Sequence, residues 1–318
     1  MRQFAAWLLV ASLCGEALAQ VNAPETRLRQ KILEAQASAE KFQQEGRALG
    51  ARFIGTLYNE VDLMEHRCTA LGILLGKESY IGDIKPMVSD LPKPDGPEDA
   101  AFGETLLVYS HSYSIFAGVA QRSLDESEHE RAMIWNLDCV GKFGIDSTAT
   151  IPVANARATF RVEGKTLFVL GDIEPGFSEE FSQQIANHSS IEIVALGSAG
   201  GSVSEAIRAG YMIRALRLNT RLFRSCYSAC SLLFLGGVER QIWSPYPELG
   251  FHQASRDGVS VSPGNDVYRL IDGYVTEMGV NSRFVLAAMF SAKPDAMYSS
   301  KIDALCQSRA ATWVQRLC

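Results

Sequence analysis

Ser228 stands between two cysteines, Cys226 and Cys230, in RSCYSACSLLFLGG (224–237), just ahead of an apolar run and two glycines. A serine hydroxyl is a weak nucleophile at neutral pH unless a neighbouring base takes its proton. Imidazole suits that task, because its pKa lies near the working pH. His252, in ELGFHQ (248–253), follows 24 residues after Ser228. A third stretch, ALGSAGGSVSEAI (195–207), carries Gly197, Gly200 and Gly201. Free backbone N–H groups at such a turn into a helix bind anions or stabilise an oxyanion. Each piece also has a plain structural reading: glycines for close strand–helix contact, a serine packed among small residues, a histidine held in the core. Several other chemistries lack their signatures. The chain has no G-x-S-x-G elbow, no G-x-G-x-x-G dinucleotide turn after a strand and no complete G-x-x-x-x-G-K-[ST] phosphate loop, since Gly164-Lys165-Thr166 lacks the first glycine.

The elements that must position these residues alternate from position 166 onward. TLFVLGDI and IEIVALGS read as buried strands, GFSEEFSQQIANH and SVSEAIRAGYMIRAL as helices, and RLFRS as a third strand feeding a helix that begins near Ser228. Alternation of this kind predicts a parallel sheet with crossover helices, in which sites form beyond the carboxyl ends of the strands. The glycine turn at 197–202 and Ser228 both fall at such ends. Glu163-Gly164 reads as a hairpin turn between two β-rich runs. Upstream, residues 25–75 read as helix: Leu28, Ile32, Ala35, Ala39, Phe42, Gly46, Leu49 and Phe53 form a narrow seam at three-and-four spacing. That seam either packs on the chain's own body or pairs subunits. Pro86, Pro92, Pro94 and Pro97 mark a linker. TLLVYS (105–110), SIFAGVA (114–120), AMIWNLDCVGKFGI (132–145) and RATFRVEGKTLFVLGDI (157–173) read as strand-like pieces.

The order of strand, glycine turn, helix, strand, serine at a helix start, strand and histidine resembles the Clp protease proteolytic subunit and its relatives in the crotonase-like superfamily. GSAGGSV stands where that family has its S-P-G-G turn, CYSACSLLFLGG where it has its nucleophile, and FHQA where it has the histidine of its I-H-Q-P stretch. The resemblance covers about 166–300 and says nothing of residues 20–160. It implies a Ser-His-Asp triad of Ser228, His252 and Asp295, the last from KPDAMYSSKIDA, with Asp272 on the following helix in reserve. It also implies an oxyanion hole of backbone N–H groups around Gly201, Ser202 and Ala229. Ala199 replaces the family's proline, which loosens the expected turn. Cys226 and Cys230 also depart from the family. They read as buried thiols or as a disulfide that locks the turn, and neither occupies the nucleophile's position.

The 318 residues carry 47% hydrophobic side chains and a net charge of −6 from 30 basic and 36 acidic groups, without a basic block. That excludes an obvious nucleic-acid binder and allows a full core. MRQFAAWLLVASLCGEALAQ reads as a secretory signal peptide with cleavage expected before Gln20; a lipid anchor at Cys14 competes less well, since bulky Leu13 precedes it. No later stretch reaches the roughly 18–20 apolar residues of a membrane span. Six cysteines remain after cleavage. An even count in an oxidising periplasm favours disulfides, Cys306 with Cys318 first, over a zinc site. The expected organisation is α/β: a signal peptide (1–19), a helical region (20–80), a linker and β-rich region (81–160) and a crotonase-like domain of the Clp subunit type (161–318). The expected function is an exported serine peptidase acting on peptides or unfolded proteins, without a cofactor or metal. A small homo-oligomer without an ATPase partner fits a compartment that lacks ATP. The rival readings are a catalytically degenerate binding protein on the same scaffold and a CoA-binding crotonase, which export disfavours.

Overall fold

The structure, a computed structural model, describes residues 23–52, 60–81, 100–153, 156–243, 247–314 and 318. Residues 1–19, read as a signal peptide, the expected proline-rich linker and Phe53 of the seam lie outside the described residues. The chain divides into two compact units, 1–152 and 153–318.

The described part of the first unit is helical. Helix α1 (Pro24–Ala48) begins on proline, whose missing N–H costs nothing at the first position, and buries Leu28, Ile32, Ala35, Ala39 and Gly46. The seam is therefore occupied from within the unit. Helix α2 (Glu60–Leu74) and helix α3 (Ala100–Asp125) supply Ala70, Ile73, Leu74, Phe116, Ala117, Ala120 and Leu124 to the same cluster. Small residues set the distance between α1 and α3: a Cβ on Gly46 would lie 2.7 Å from the Gly103 carbonyl oxygen. Ser110 Oγ donates to the Ala39 carbonyl at 2.6 Å. A subunit-pairing role for the buried part of the seam is thereby corrected, because its apolar face is already covered by α3.

A second correction concerns 105–145. The strand-like pieces there are α3, a short α4 (Glu128–Ile134) with a Ser127–Glu130 capping box, and a wide π-turn (Trp135–Cys139). Each piece is too short to separate strand from helix by itself. Leu106, Ser110, Phe116, Ala117, Ala120 and Leu124 share one face only when the run is read as a whole. A disulfide joins Cys68 on α2 to Cys139 at the end of the π-turn. Two polar groups are buried beside it in sequence. His66 Nε2 lies 3.1 Å from Ser112 Oγ, with its ring edge-on to Phe116, and burial pulls its pKa down to about 4. Arg67 pairs with Glu126 at 3.3 Å.

The second unit has a mostly parallel sheet in the order β1-β2-β3-β4-β5-β10. Strands β1 (Thr159–Glu163) and β2 (Thr166–Leu170) form the antiparallel hairpin, with Gly164 at φ 55° in its turn. The apolar runs of β2, β3 (Ile193–Ser198) and β4 (Asn219–Tyr227) lie parallel, as strands covered on both faces do. Helix α5 (Phe177–Asn187) connects β2 to β3, and α6 (Val203–Ala215) connects β3 to β4. Strand β4 forks. Thr220 and Arg221 pair with β5 (Arg240–Ile242), whereas Cys226 and Tyr227 pair with β6 (Leu249–Phe251). Between β4 and β5 in the chain lies α7 (Ala229–Leu235), every residue of which is buried. After a small hairpin, β7 (Ser255–Arg256) with β8 (Val259–Ser260), come α8 (Asp266–Glu277) and α9 (Ser282–Phe290). Strand β9 (Tyr298–Ser299) then runs antiparallel to β6. Helix α10 (Ile302–Gln307) leads to β10 (Trp313–Val314), parallel to β5. The expected α/β alternation is present. Cys306 and Cys318 are bonded as expected, and Cys226 is bonded to Cys230. No described helix is long and apolar enough to cross a membrane.

Candidate active site

Ser228 occupies the single residue between β4 and α7. Its backbone is at φ 56°, ψ −125°, a conformation that costs a non-glycine residue of order 1–3 kcal/mol. Serine at a helix start ordinarily caps it, with the hydroxyl accepting an N–H from the first turn. Ser228 makes no such bond, and its Oγ has no hydrogen-bond partner among the described residues. The residue is held instead by its backbone: its N–H donates to the Gly250 carbonyl at 3.0 Å, and its carbonyl accepts from Ser231 N–H at 3.0 Å. The result is a strained strand-to-helix turn whose serine is half-buried.

The room such a turn needs comes from neighbouring strands, which is why no G-x-S-x-G marks it. A Cβ on Gly200 would lie 2.6 Å from Ser228 Cβ and 3.1 Å from its Oγ. A Cβ on Gly250 would lie 2.6 Å from the Tyr227 ring. The positions two residues to either side of the serine carry the Cys226–Cys230 disulfide, with both cysteines fully buried. Oxidation removes both as candidate nucleophiles. Among the described residues no group of three or more His, Cys, Asp or Glu could hold a metal ion.

The glycine turn thus lies directly against Ser228. Gly200 N–H is taken by Ser198 Oγ at 3.0 Å, and Ser202 N–H by the Ile173 carbonyl at 2.7 Å. Ser202 is the N-cap of α6, its Oγ accepting from Glu205 N–H. The N–H groups of Gly201 and Ala229 have no backbone acceptor among the described residues. Of the three expected oxyanion donors, these two have a free N–H and Ser202 does not. Asp172 stands beside this turn, one residue before the Ile173 that bridges to Gly201. Burial, and then the charge of Glu174, raise its carboxyl above the usual range.

His252 follows β6 directly, and β6 is the strand paired with the end of β4, so both residues leave the same sheet edge in the same direction. It is half-buried. Its Nδ1 lies 2.7 Å from the carbonyl oxygen of Gln253, so that nitrogen carries the proton and Nε2 the lone pair. No hydrogen bond joins His252 to Ser228, Asp295 or Asp272 among the described residues. Asp295 is exposed in a turn closed by Ala296 N–H and the Lys293 carbonyl. Asp272 is exposed on α8, whose inward residues are Tyr268, Ile271, Tyr274 and Val275. Sequence reading missed Tyr227, adjacent to Ser228 in the chain, its partner Glu248, and Tyr268, whose hydroxyl accepts the Ala254 N–H two residues after His252. Tyr227 OH donates to Glu248 Oε2 at 2.7 Å, and Ser299 Oγ donates to the same oxygen at 2.9 Å, tying β4, β6 and β9 together.

No family model matches the chain, and no curated protein matches it. Among solved structures it is similar to a point mutant of ClpP1 from Listeria monocytogenes, at 14% identity and a TM-score of 0.32. The match covers 48% of this chain and 91% of that one.

Proposed function

We propose that the chain is an exported serine hydrolase, a peptidase of the Clp proteolytic subunit type within the crotonase-like superfamily, acting on peptides or unfolded proteins. The observation that carries this reading is Ser228: a serine in a strained turn at a helix start whose hydroxyl does not cap the helix. Backbone strain that the neighbouring glycines and a disulfide are arranged to accommodate is the mark of a site rather than of packing. In the proposed reaction His252 Nε2 takes the Ser228 proton as Oγ attacks the scissile carbonyl. The N–H groups of Gly201 and Ala229 receive the developing oxyanion, and His252 returns the proton to the leaving amine. The family resemblance would add a carboxylate, Asp295 or in reserve Asp272, but neither is hydrogen-bonded to His252 among the described residues, so the proposed reaction is written without one. Removal of residues 1–19 on export to the periplasm belongs to the same proposal, as does a modest homo-oligomer that works without an ATPase.

A degenerate binding protein is the second reading. It is favoured by one observation, the lack of a hydrogen bond between Ser228 and His252 among the described residues. A fluorophosphonate probe separates the two. The hydrolase reading expects labelling of the folded wild-type protein at Ser228. It also expects Ser228→Ala to lose labelling and at least about 10³-fold of peptide or ester hydrolysis without loss of fold. Unlabelled folded protein would count against the hydrolase and favour the binding reading.

A further inference from the structure

We propose that His252 is oriented by a peptide unit rather than by a carboxylate, and that Tyr268 is the side chain that holds this unit in place. This rests on the hydrolase reading for its catalytic consequence but not for its geometry. A catalytic imidazole needs an acceptor on Nδ1–H to fix the tautomer and leave Nε2 free to take a proton. Here that acceptor is the Gln253 carbonyl at 2.7 Å.

The Gln253 carbonyl and the Ala254 N–H belong to one planar peptide unit, so fixing one end aims the other. Ala254 N–H donates to Tyr268 OH at 3.1 Å. Tyr268 is 4% exposed and packs against Phe290, so its hydroxyl oxygen is a fixed point. Burial raises the phenol's pKa above its ordinary value, and the hydroxyl stays neutral throughout the working range. The next peptide toward the N-terminus is fixed as well, because Gln253 N–H donates to the Ala292 carbonyl at 3.0 Å. Downstream, Val261 N–H donates to the Ala254 carbonyl at 3.0 Å. The segment 253–254 is thus tied to α8, to the end of α9 and to β8. The two expected carboxylates have no such connection: Asp272 lies on the solvent face of α8, and Asp295 is exposed in its turn.

The consequence is a Ser–His pair whose third member is main chain. A backbone carbonyl holds the tautomer, but it carries no full charge to offset the imidazolium that forms during attack. Loss of a triad carboxylate that matters drops kcat by about 10⁴. Here Asp295→Asn and Asp272→Asn should each leave kcat within about threefold of wild type. Tyr268→Phe keeps the ring and removes only the acceptor. It should lower kcat roughly five- to tenfold with KM unchanged, the worth of one lost neutral hydrogen bond.

Nitrogen-15 NMR of His252 in the full chain reads the geometry directly and needs no activity. The Nδ1–H form is expected in wild type, D295N and D272N, and a shift toward Nε2–H is expected in Y268F. Either of two results overturns the inference: Nε2–H predominant in wild type, or a tautomer shift in D295N or D272N with none in Y268F. The fluorophosphonate reaction at Ser228 reports on the hydrolase reading separately, so failure of one is not failure of the other.

Discussion

The two units differ in how they pair some of their buried ionisable groups. In the helical unit His66 and Arg67 take side-chain partners, Ser112 and Glu126, although Ser110 and Trp135 donate to carbonyls. Arg131 does find carbonyls, but these are Ser123 and Leu124 in the last turn of α3, where the helix runs out of N–H donors. In the sheet unit the partners are mostly main chain. Arg240 is 3% exposed and spends its guanidinium on the carbonyls of Gly237, Arg309 and Ala310. Glu205 accepts from Ser178 N–H, and His252 donates to the Gln253 carbonyl. A helix consumes its own backbone groups, whereas strand ends and the turns beyond them leave theirs to be aimed. That difference is why chemistry at 198–254 can be built from short polar residues and glycines, and why the helical unit shows no comparable cluster among its described residues.

The disulfides offer the largest test of the contrast. Cys68–Cys139 spans 71 residues and Cys226–Cys230 spans four. Loop entropy assigns about 4 kcal/mol to the first and about 2 kcal/mol to the second. Paired cysteine-to-alanine variants should reproduce that order in denaturant titrations. Trp135 reports on the helical unit, and Trp243 and Trp313 on the sheet unit. Equal losses would mean that loop closure is not what these bonds contribute.

Acid is the second test. Unfolded His66 takes a proton near its ordinary pKa of 6.5, whereas the folded ring takes one only at about 4. The unfolded state therefore binds more protons across that window. Stability of the helical unit should be full above pH 6.5 and fall by up to about 3 kcal/mol as the pH drops to 4. Urea midpoints read at Trp135 at about pH 7, 5 and 4 would show it, and His66→Phe should flatten the curve. An unchanged midpoint in wild type would contradict the buried neutral ring.

Glu205 gives the smallest effect, in the other unit and at lower pH. Burial alone would raise its pKa, but the hydroxyl and N–H of Ser178, the N–H of Gly176 and the Arg208 charge outweigh it and hold the carboxyl below the ordinary 4.5. Its contribution is present above pH 4.5 and disappears as the pH falls through the folded value. Glu205→Gln should cost roughly 1–2 kcal/mol at neutral pH, the worth of charge-assisted hydrogen bonds. The cost should shrink as the pH falls through the lowered folded value and be gone once the carboxyl is protonated in both states. Persistence of the difference there would assign it to packing.

Much of the sheet unit is legible in the sequence because its signals are local. TLFVLGDI and IEIVALGS are apolar strands bounded by glycines, and Phe177 and Phe181 set the inward face of α5. The helical unit is legible in α1 and α2, which fall within the 25–75 run read as helix. The stretch 105–145 reads as strand because Ser110, Ser114 and Gly118 interrupt the apolar face of α3 and break it into short runs. At the candidate site the side chains are visible in the sequence and their supports are not. Gly200 and Gly250 reach the serine from other strands, and a carbonyl acceptor such as that of Gln253 has no residue type to betray it. Tyr268 reads as one more apolar helix position, which by burial it is.

The pairing order of the cysteines has a consequence for biogenesis. Counting the six that the structure bonds, each joins its next neighbour along the chain: 68 with 139, 226 with 230, 306 with 318. A polypeptide that enters an oxidising space N-terminus first presents each thiol's correct partner as the next to arrive. On the proposed export route, vectorial entry alone would select the native set, so an oxidase would suffice and no isomerase would be required to undo mispaired bonds.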